Sequence, residues 1–303
     1  MQPRVAYCGL MLFDGFEARE LDTPRGSVHA LVKGDGPPLL LLHGFPQTHL
    51  MWHAVAPKLA ETFSVVVPDL PGYGASFKPP VSDDHTAHSK RALADDLVHA
   101  MHMLGHTAFE VVGHDRGGRV AYRMALDHPQ DVARLAVLDI VPTGSIWMRA
   151  DAAFALGYWH WPFLAQPAPL PEQLILSGPE AFWIAAERMG IKPGDPRFPD
   201  ETIDVYKRQL TDPEAVKAMC EDYRAGATVD VALDAEGGTI HCPLLALWGA
   251  DGALPRFYPD PLDLWRPYSH EATGHAIEGA GHFLAEDQPE AIIDELTAFF
   301  AHH

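Results

Sequence analysis

Cysteine is scarce, positive charge is outnumbered, and no apolar run is long enough to span a bilayer. The three cysteines, Cys8, Cys220 and Cys242, share no close spacing and cannot all pair. That excludes a disulfide framework and points to reduced thiols in a cytoplasmic protein. Against 41 Asp and Glu stand only 22 Lys and Arg, a formal net charge of −19 with a pI of about 5.2. Nucleic acid and anionic membranes are therefore poor partners, and an anionic ligand needs a local positive site. The stretch "AYCGLMLF" is short, is halted by Asp14, and lacks the small-residue cleavage site of a secretory signal. Met11 is a candidate start, with residues 1–10 as an extension. No internal repeat and no low-complexity tract is found.

What is there is ordinary globular material: 303 residues, 47% hydrophobic and 21% charged, enough for one large domain with an insertion or for two domains. Residues 28–42 read as two strands around a turn, "VHALVKG", "DGPP" and the start of "LLLLHG". A helix "MWHAVAPKLAETF", a strand "SVVVPDL" and a turn "PGYGAS" follow. Then come a helix "SKRALADDLVHAMHMLG", a strand running into a glycine-rich turn in "FEVVGHDRGG", a helix "RVAYRMALDHP" and a strand "LAVLDIVP". Short apolar strands alternating with helices predict an α/β fold, a mostly parallel sheet covered on both faces. From Thr143 to Ile240 the rhythm breaks into Trp-, Pro- and Phe-rich helical sequence, read as an inserted cap over 143–240. The core is then 1–142 and 241–303. The sheet resumes at "CPLLALWG" (242–249), ends in an edge strand near "HAIEG" (275–279), and "PEAIIDELTAFFAHH" closes the chain as a helix.

Between strand and helix, "GHDRGGR" (113–119) places Asp115 at the centre of a sharp turn between Gly113 and Gly117. The form with serine at the centre is the nucleophile elbow of α/β-hydrolases. An aspartate there attacks with a carboxylate oxygen, which needs no proton removed and can displace a leaving group from carbon to form an ester. The blander use of the position is a helix-capping acid. His43-Gly44-Phe45-Pro46 resembles the oxyanion loop of this fold, which makes the N–H groups of Phe45 and Arg116 candidate oxyanion donors. His282, in "EGAGHFLAEDQPE" between the last strand and the last helix, is the candidate base. Asp139 in "VLDIVP" is preferred to Asp251 in "LWGADGAL" as the acid that orients it. Arg116 and Arg119, one helical turn apart, can reach the same small anion. His99, His102 and His106 also share helical spacing. With no Cys or acidic partner at matching spacing they read as a solvated helix face, and no metal site is expected.

The chain resembles the fluoroacetate dehalogenases, a haloacid-cleaving branch of the α/β-hydrolase fold, over nearly its whole length, from "DGPPLLLLHGFPQTHLMWH" to "GHFLAEDQPE". The distinctive stretches are "GHDRGGRVAYR", "YWHWPFLAQPAPLPE" and "CEDYRAGA". The resemblance implies Asp115 as nucleophile, His282 as base and Asp139 as its partner. Arg116 and Arg119 would bind the substrate carboxylate, and His160, Trp161 and Tyr223 the departing halide. It implies a hydrolase of a short 2-haloacid that uses water and no metal or organic cofactor, and it raises a homodimer, which nothing in the sequence itself requires. Trp159 and Trp183 read as core packing. Three competing expectations are carried forward. One is a haloacid dehalogenase that prefers chloride or bromide. Another is an epoxide hydrolase, which would need two tyrosines from Tyr158, Tyr206 and Tyr223. The last is a ligand-sensing protein without turnover.

Overall fold

A computed structural model describes residues 12–149 and 151–301; Cys8 and the Met11 start lie outside them. Eight strands make one sheet: β1 (Glu17–Asp22), β2 (Ser27–Lys33), β3 (Pro38–Leu42), β4 (Ser64–Pro68), β5 (Phe109–His114), β6 (Val132–Leu138), β7 (Leu244–Gly249) and β8 (Ala272–Ile277). Their spatial order is β1-β2-β4-β3-β5-β6-β7-β8. The pairs β1–β2 and β2–β4 are antiparallel and all others parallel. Leu39–Leu42, Val65–Val67 and Leu135–Leu138 are buried, because helices cover both faces of the sheet there. This is why the central strands read as continuous apolar runs rather than alternating ones.

Three local expectations change. β1 escapes the hydrophobic pattern because "EARELD" carries four charges in six residues, and only Leu21 among them is buried. Such charge suits an edge strand, since it discourages pairing with another chain. β2 and β3, though joined by a short turn, are not neighbours: β4 lies between them. The expected helix "MWHAVAPKLAETF" is a 3-10 turn, His49–Trp52, followed by a four-residue α-helix, Ala56–Leu59. Pro57 near its start has no N–H to continue the preceding turn.

The helix Lys90–Met103 begins where the Ser89 side chain accepts from the Ala92 N–H, and it buries Leu93, Leu97, Ala100 and Met101. His99 and His102 face solvent, and no group of three or more His, Cys, Asp or Glu among the described residues is placed to hold a metal. Residues Thr143 to Ala235 run as consecutive helices with no strand among the described residues. Trp183 is core at 1% exposure, but Trp159, at 37%, lies at the surface against Phe163 and Phe182 rather than in the core. Cys220 and Cys242 are free thiols, and no described helix is long and apolar enough to cross a membrane.

The turn after β5 is packed to the limit. A Cβ on Gly113 would fall 2.5 Å from the Gly117 carbonyl oxygen, and one on Gly117 would fall 2.4 Å from that of His43. Gly117→Ala must therefore push backbone against backbone, at a cost of about 1–3 kcal/mol. A clear fall in the thermal midpoint is expected, and an unchanged midpoint would show that the turn can widen.

Candidate active site

The strand order collects the expected residues at one edge. Phe45 follows β3, Asp115 follows β5, Asp139 follows β6 and His282 follows β8, all at the carboxyl ends of parallel strands, where open sheets of this type bind ligands. Asp115 and Asp139 hold φ of 45° and 50°, the left-handed region that non-glycine residues seldom occupy. Each leaves its strand abruptly there, which turns the side chain toward the sheet edge.

His282 Nδ1 lies 2.7 Å from Asp139 Oδ2, and Asp139 Oδ1 accepts from the Gly249 N–H at 3.1 Å. Asp251 is exposed and does not reach His282. The carboxylate thus holds the imidazole by Nδ1, and Nε2 is buried with no hydrogen-bond partner among the described residues. His114 Nε2 donates to the His282 carbonyl at 2.8 Å, with the two rings 4.7 Å apart, and so fixes the backbone that carries His282. The Phe45 N–H donates to Asp115 Oδ1 at 2.8 Å, which leaves Oδ2 as the oxygen able to act on a ligand.

Electrostatics separate the two groups. Burial acts to raise the Asp115 carboxyl, but the charges of His282, His114, Arg116 and Arg119 outweigh it and hold it at about 2. Burial acts to lower the His282 imidazole, but the hydrogen bond and charge of Asp139, with the charge of Asp115, carry it above its ordinary value. Burial lowers His160 to about 4, so near neutrality it is an uncharged ring that can donate one N–H.

The two arginines are both buried but differ in their partners. Arg116 is held by Asp222: Nε donates to Oδ2 at 2.6 Å and Nη2 to the Asp222 carbonyl at 2.8 Å. Arg119 makes no ion pair among the described residues; its Nη1 donates to the Val141 carbonyl at 3.1 Å and to Thr143 Oγ1 at 3.0 Å. Arg116 Nη1, Arg119 Nε and Tyr223 Oη are buried without hydrogen-bond partners among the described residues. The guanidinium of Arg116 lies 4.2 Å from the Tyr223 ring centre, and that of Arg119 4.5 Å from Trp161. Trp161 and Tyr223 are 5.9 Å apart, and His160 is 6.1 Å from Tyr223 and stacks on Phe45 at 6.2 Å. The structure therefore brings every expected site residue into one cluster.

A cavity of about 260 Å³ opens from this cluster toward solvent. Asp115, His160, Trp161 and His282 line it together with Tyr158, Arg188 and Arg256. Arg116, Arg119 and Tyr223 are not in its lining and join the site through Trp161 and Asp115. Of the site's groups, His114 and Asp222 were not expected. His114 sits in plain view between Gly113 and Asp115, and Asp222 directly precedes Tyr223. Their roles depend on contacts with Asp115's neighbours far along the chain, and no local pattern carries those contacts.

A carboxylate on a strained strand-to-helix turn, with a histidine–aspartate pair at the same sheet edge, defines an α/β-hydrolase, and the chain belongs to that family: the family's sequence model, alpha/beta hydrolase fold, matches residues 37–289. Among its relatives, the fluoroacetate dehalogenase of a Burkholderia species is 42% identical over 292 residues, which cover 96% of this chain and 95% of that protein. The soluble epoxide hydrolase of Corynebacterium sp. (strain C12) is 31% identical over 294 residues, covering 90% and 93%. The solved structure of a Nostoc sp PCC 7120 protein, provisionally called an α/β hydrolase, superposes with a TM-score of 0.92 at 43% identity, covering 96% of this chain and all of that one.

Proposed function

We propose that the protein hydrolyses the carbon–halogen bond of a short 2-haloacid, with fluoroacetate as the leading substrate, to give the 2-hydroxyacid and halide. The observation that carries this reading is Arg119, a guanidinium buried beside Asp115 that has, among the described residues, no ion pair and no hydrogen-bond partner for its Nε. With a neutral substrate that charge would have only the Asp115 carboxylate to oppose it, and would lose even that as the neutral ester forms, which is costly in a dry site. A carboxylate would meet it with a charge-assisted bond.

In this reading Asp115 Oδ2 attacks the α-carbon from the side opposite the halogen. A carbon–oxygen bond forms, the carbon–halogen bond breaks, and the halide leaves with the electron pair; a chiral substrate would be inverted. His160, Trp161 and Tyr223 each offer an N–H or O–H to the leaving ion, a contribution of about 1–3 kcal/mol apiece by analogy with oxyanion donors. Oδ1, already bonded to the Phe45 N–H, becomes the ester carbonyl oxygen. It is thus seated in its oxyanion hole before hydrolysis begins, with the Arg116 N–H as the second donor. His282, oriented by Asp139, takes a proton from water as that water attacks the ester carbonyl carbon; the bond from that carbon to the alkylated oxygen then breaks, the 2-hydroxyacid leaves with the proton from His282, and Asp115 is regenerated with one oxygen from water. The helices of 143–240 act as the cap that supplies the halide donors.

Alkylation also prepares the base. The Asp115 charge is one of the influences that raise His282, and the neutral ester removes it. The imidazole therefore becomes easier to keep unprotonated at the step where it must accept a proton.

The experiment is one turnover in heavy-oxygen water with excess enzyme. The expected result is label in the Asp115 carboxylate and unlabelled product hydroxyl; label in the product on the first turnover would rule out the covalent route. Diol formation from styrene oxide in place of halide release would favour an epoxide hydrolase.

A further inference from the structure

Asp222 does not face the cavity, yet it determines where one of the site's guanidiniums points. Two Arg116 donors end on this one residue, Nε on its carboxylate at 2.6 Å and Nη2 on its carbonyl at 2.8 Å. Two bonds to a single residue fix both the plane and the rotation of a planar fork. Among the described residues only the Nη1 end is left over, buried and without a hydrogen-bond partner. The Asp222 carboxylate is itself held by Tyr73 Oη, which donates to Oδ2 at 2.9 Å, and by Lys90 Nζ on Oδ1. Lys90 in turn meets Asp230: its N–H donates to Oδ1 at 2.8 Å and its Nζ lies 3.5 Å from Oδ2.

Arg116, Lys90, Asp222 and Asp230 are all at most 2% exposed. Their charges cancel, two cations against two acids. The attraction for a monoanion must then come from Arg119, and what Arg116 adds is a fixed N–H direction. Burial would raise the Asp222 carboxyl, but Arg116 and Lys90 keep it ionised, far below its ordinary value. We propose that Asp222 is a positioning residue: it aims Arg116 Nη1 so that the bound carboxylate presents its α-carbon to Asp115, while Arg119 supplies the charge. The inference rests on the haloacid reading above.

Asp222→Asn separates aim from charge. The variant keeps the bond to the backbone carbonyl, loosens the Nε tie and takes away the countercharge of Arg116, so binding of acetate, a carboxylate with no leaving group, should be unchanged or tighter. Misaim by about 1 Å should still lower kcat on haloacetate on the order of tenfold to a hundredfold. Asp230→Asn is the control, because it removes the same charge from the same buried cluster without touching Arg116. Its kcat should stay within about twofold of the parent even if its thermal midpoint falls as far. Equal losses of kcat in both variants, or weaker acetate binding in Asp222→Asn, would overturn the proposal. Should Asp222→Asn not accumulate as folded protein, Tyr73→Phe loosens the same oxygen: a kcat below the parent's with unchanged acetate inhibition supports the role, and a parental kcat overturns it. The Arg116 Nε–H proton, observed by NMR, reads the tie whatever the substrate proves to be. It should be protected from exchange in the parent and in Asp230→Asn, and exposed in Asp222→Asn. A protein that releases no halide from any haloacetate would refute the haloacid reading, and this proton would still decide whether Asp222 holds Arg116.

Discussion

Replacing His282 with asparagine is expected to stop the enzyme half-way. Attack by Asp115 needs no proton transfer, and Asp115 is ionised across the whole working range because its carboxyl lies at about 2. The variant should therefore release one equivalent of halide per active site in a burst and then stall. Its steady-state rate should fall by roughly four orders of magnitude or more, the scale seen when a catalytic histidine is removed from a concerted set. Intact-protein mass spectrometry should show one carboxymethyl adduct, and peptide mapping should place it on Asp115. A variant that loses the burst together with the steady state would show that His282 acts in the first step and would sink the division of labour proposed here. The parent's pH dependence follows from the same picture. The burst rate should be flat above about pH 6, where Asp115 is ionised and His160 is neutral, and kcat should rise with pH as His282 loses its proton. Because the ester removes one influence that raises His282, the limb in kcat should lie at lower pH than the His282 titration followed by NMR in the free enzyme.

The groups named in that experiment were legible because each lies within a short, ordered pattern. Strand, glycine, acid, glycine and helix in sequence leave Asp115 few alternatives, and His282 is fixed by its place between the last strand and the last helix. Asp139 rests on its place at the end of the strand after the nucleophile helix and on the resemblance, and the 2.7 Å contact with His282 belongs to it. His160, Trp161 and Tyr223 had no such local pattern and came only from the resemblance. The structure brings them together through ring contacts among the helices of Thr143 to Ala235. Asp222 and Lys90 were not legible at all. They are 132 residues apart, and a buried ion pair of that separation exists only once the fold has formed. β1 was missed for a related reason: an edge strand made mostly of charged residues is held by its partner's hydrogen bonds, and all its side chains but Leu21 report only solvent.

Arg119→Met is expected to cost the enzyme its substrate and the fold nothing. Arg119 is 2% exposed and has no ion pair among the described residues; burial and the neighbouring Arg116 work against its charged form, and the Asp115 charge offsets them only in part. Methionine of similar length removes a dry charge. It also gives up two hydrogen bonds, to Val141 and Thr143, worth about 1 kcal/mol each. Thr143 Oγ1 keeps the bond from Tyr122 Oη at 2.9 Å, which limits that loss. Exchanging buried charge for apolar bulk is commonly neutral or stabilising by about 1–4 kcal/mol, so the thermal midpoint should hold or rise by a few degrees. Against this, an anion brought into the site would lose its charged partner, a penalty of about 3–5 kcal/mol. At 1.4 kcal/mol per tenfold, kcat/KM for haloacetate should fall by roughly two to three and a half orders of magnitude. Arg119→Lys should fall between the two, because a point charge restores attraction without the fork. Thermal melts and initial rates on the same preparations decide the matter. A variant that is less stable and less active in proportion would make Arg119 a structural residue. One that is stable and inactive would make it a charge kept in a dry place for a ligand to neutralise, the trade of stability for function expected at an active site.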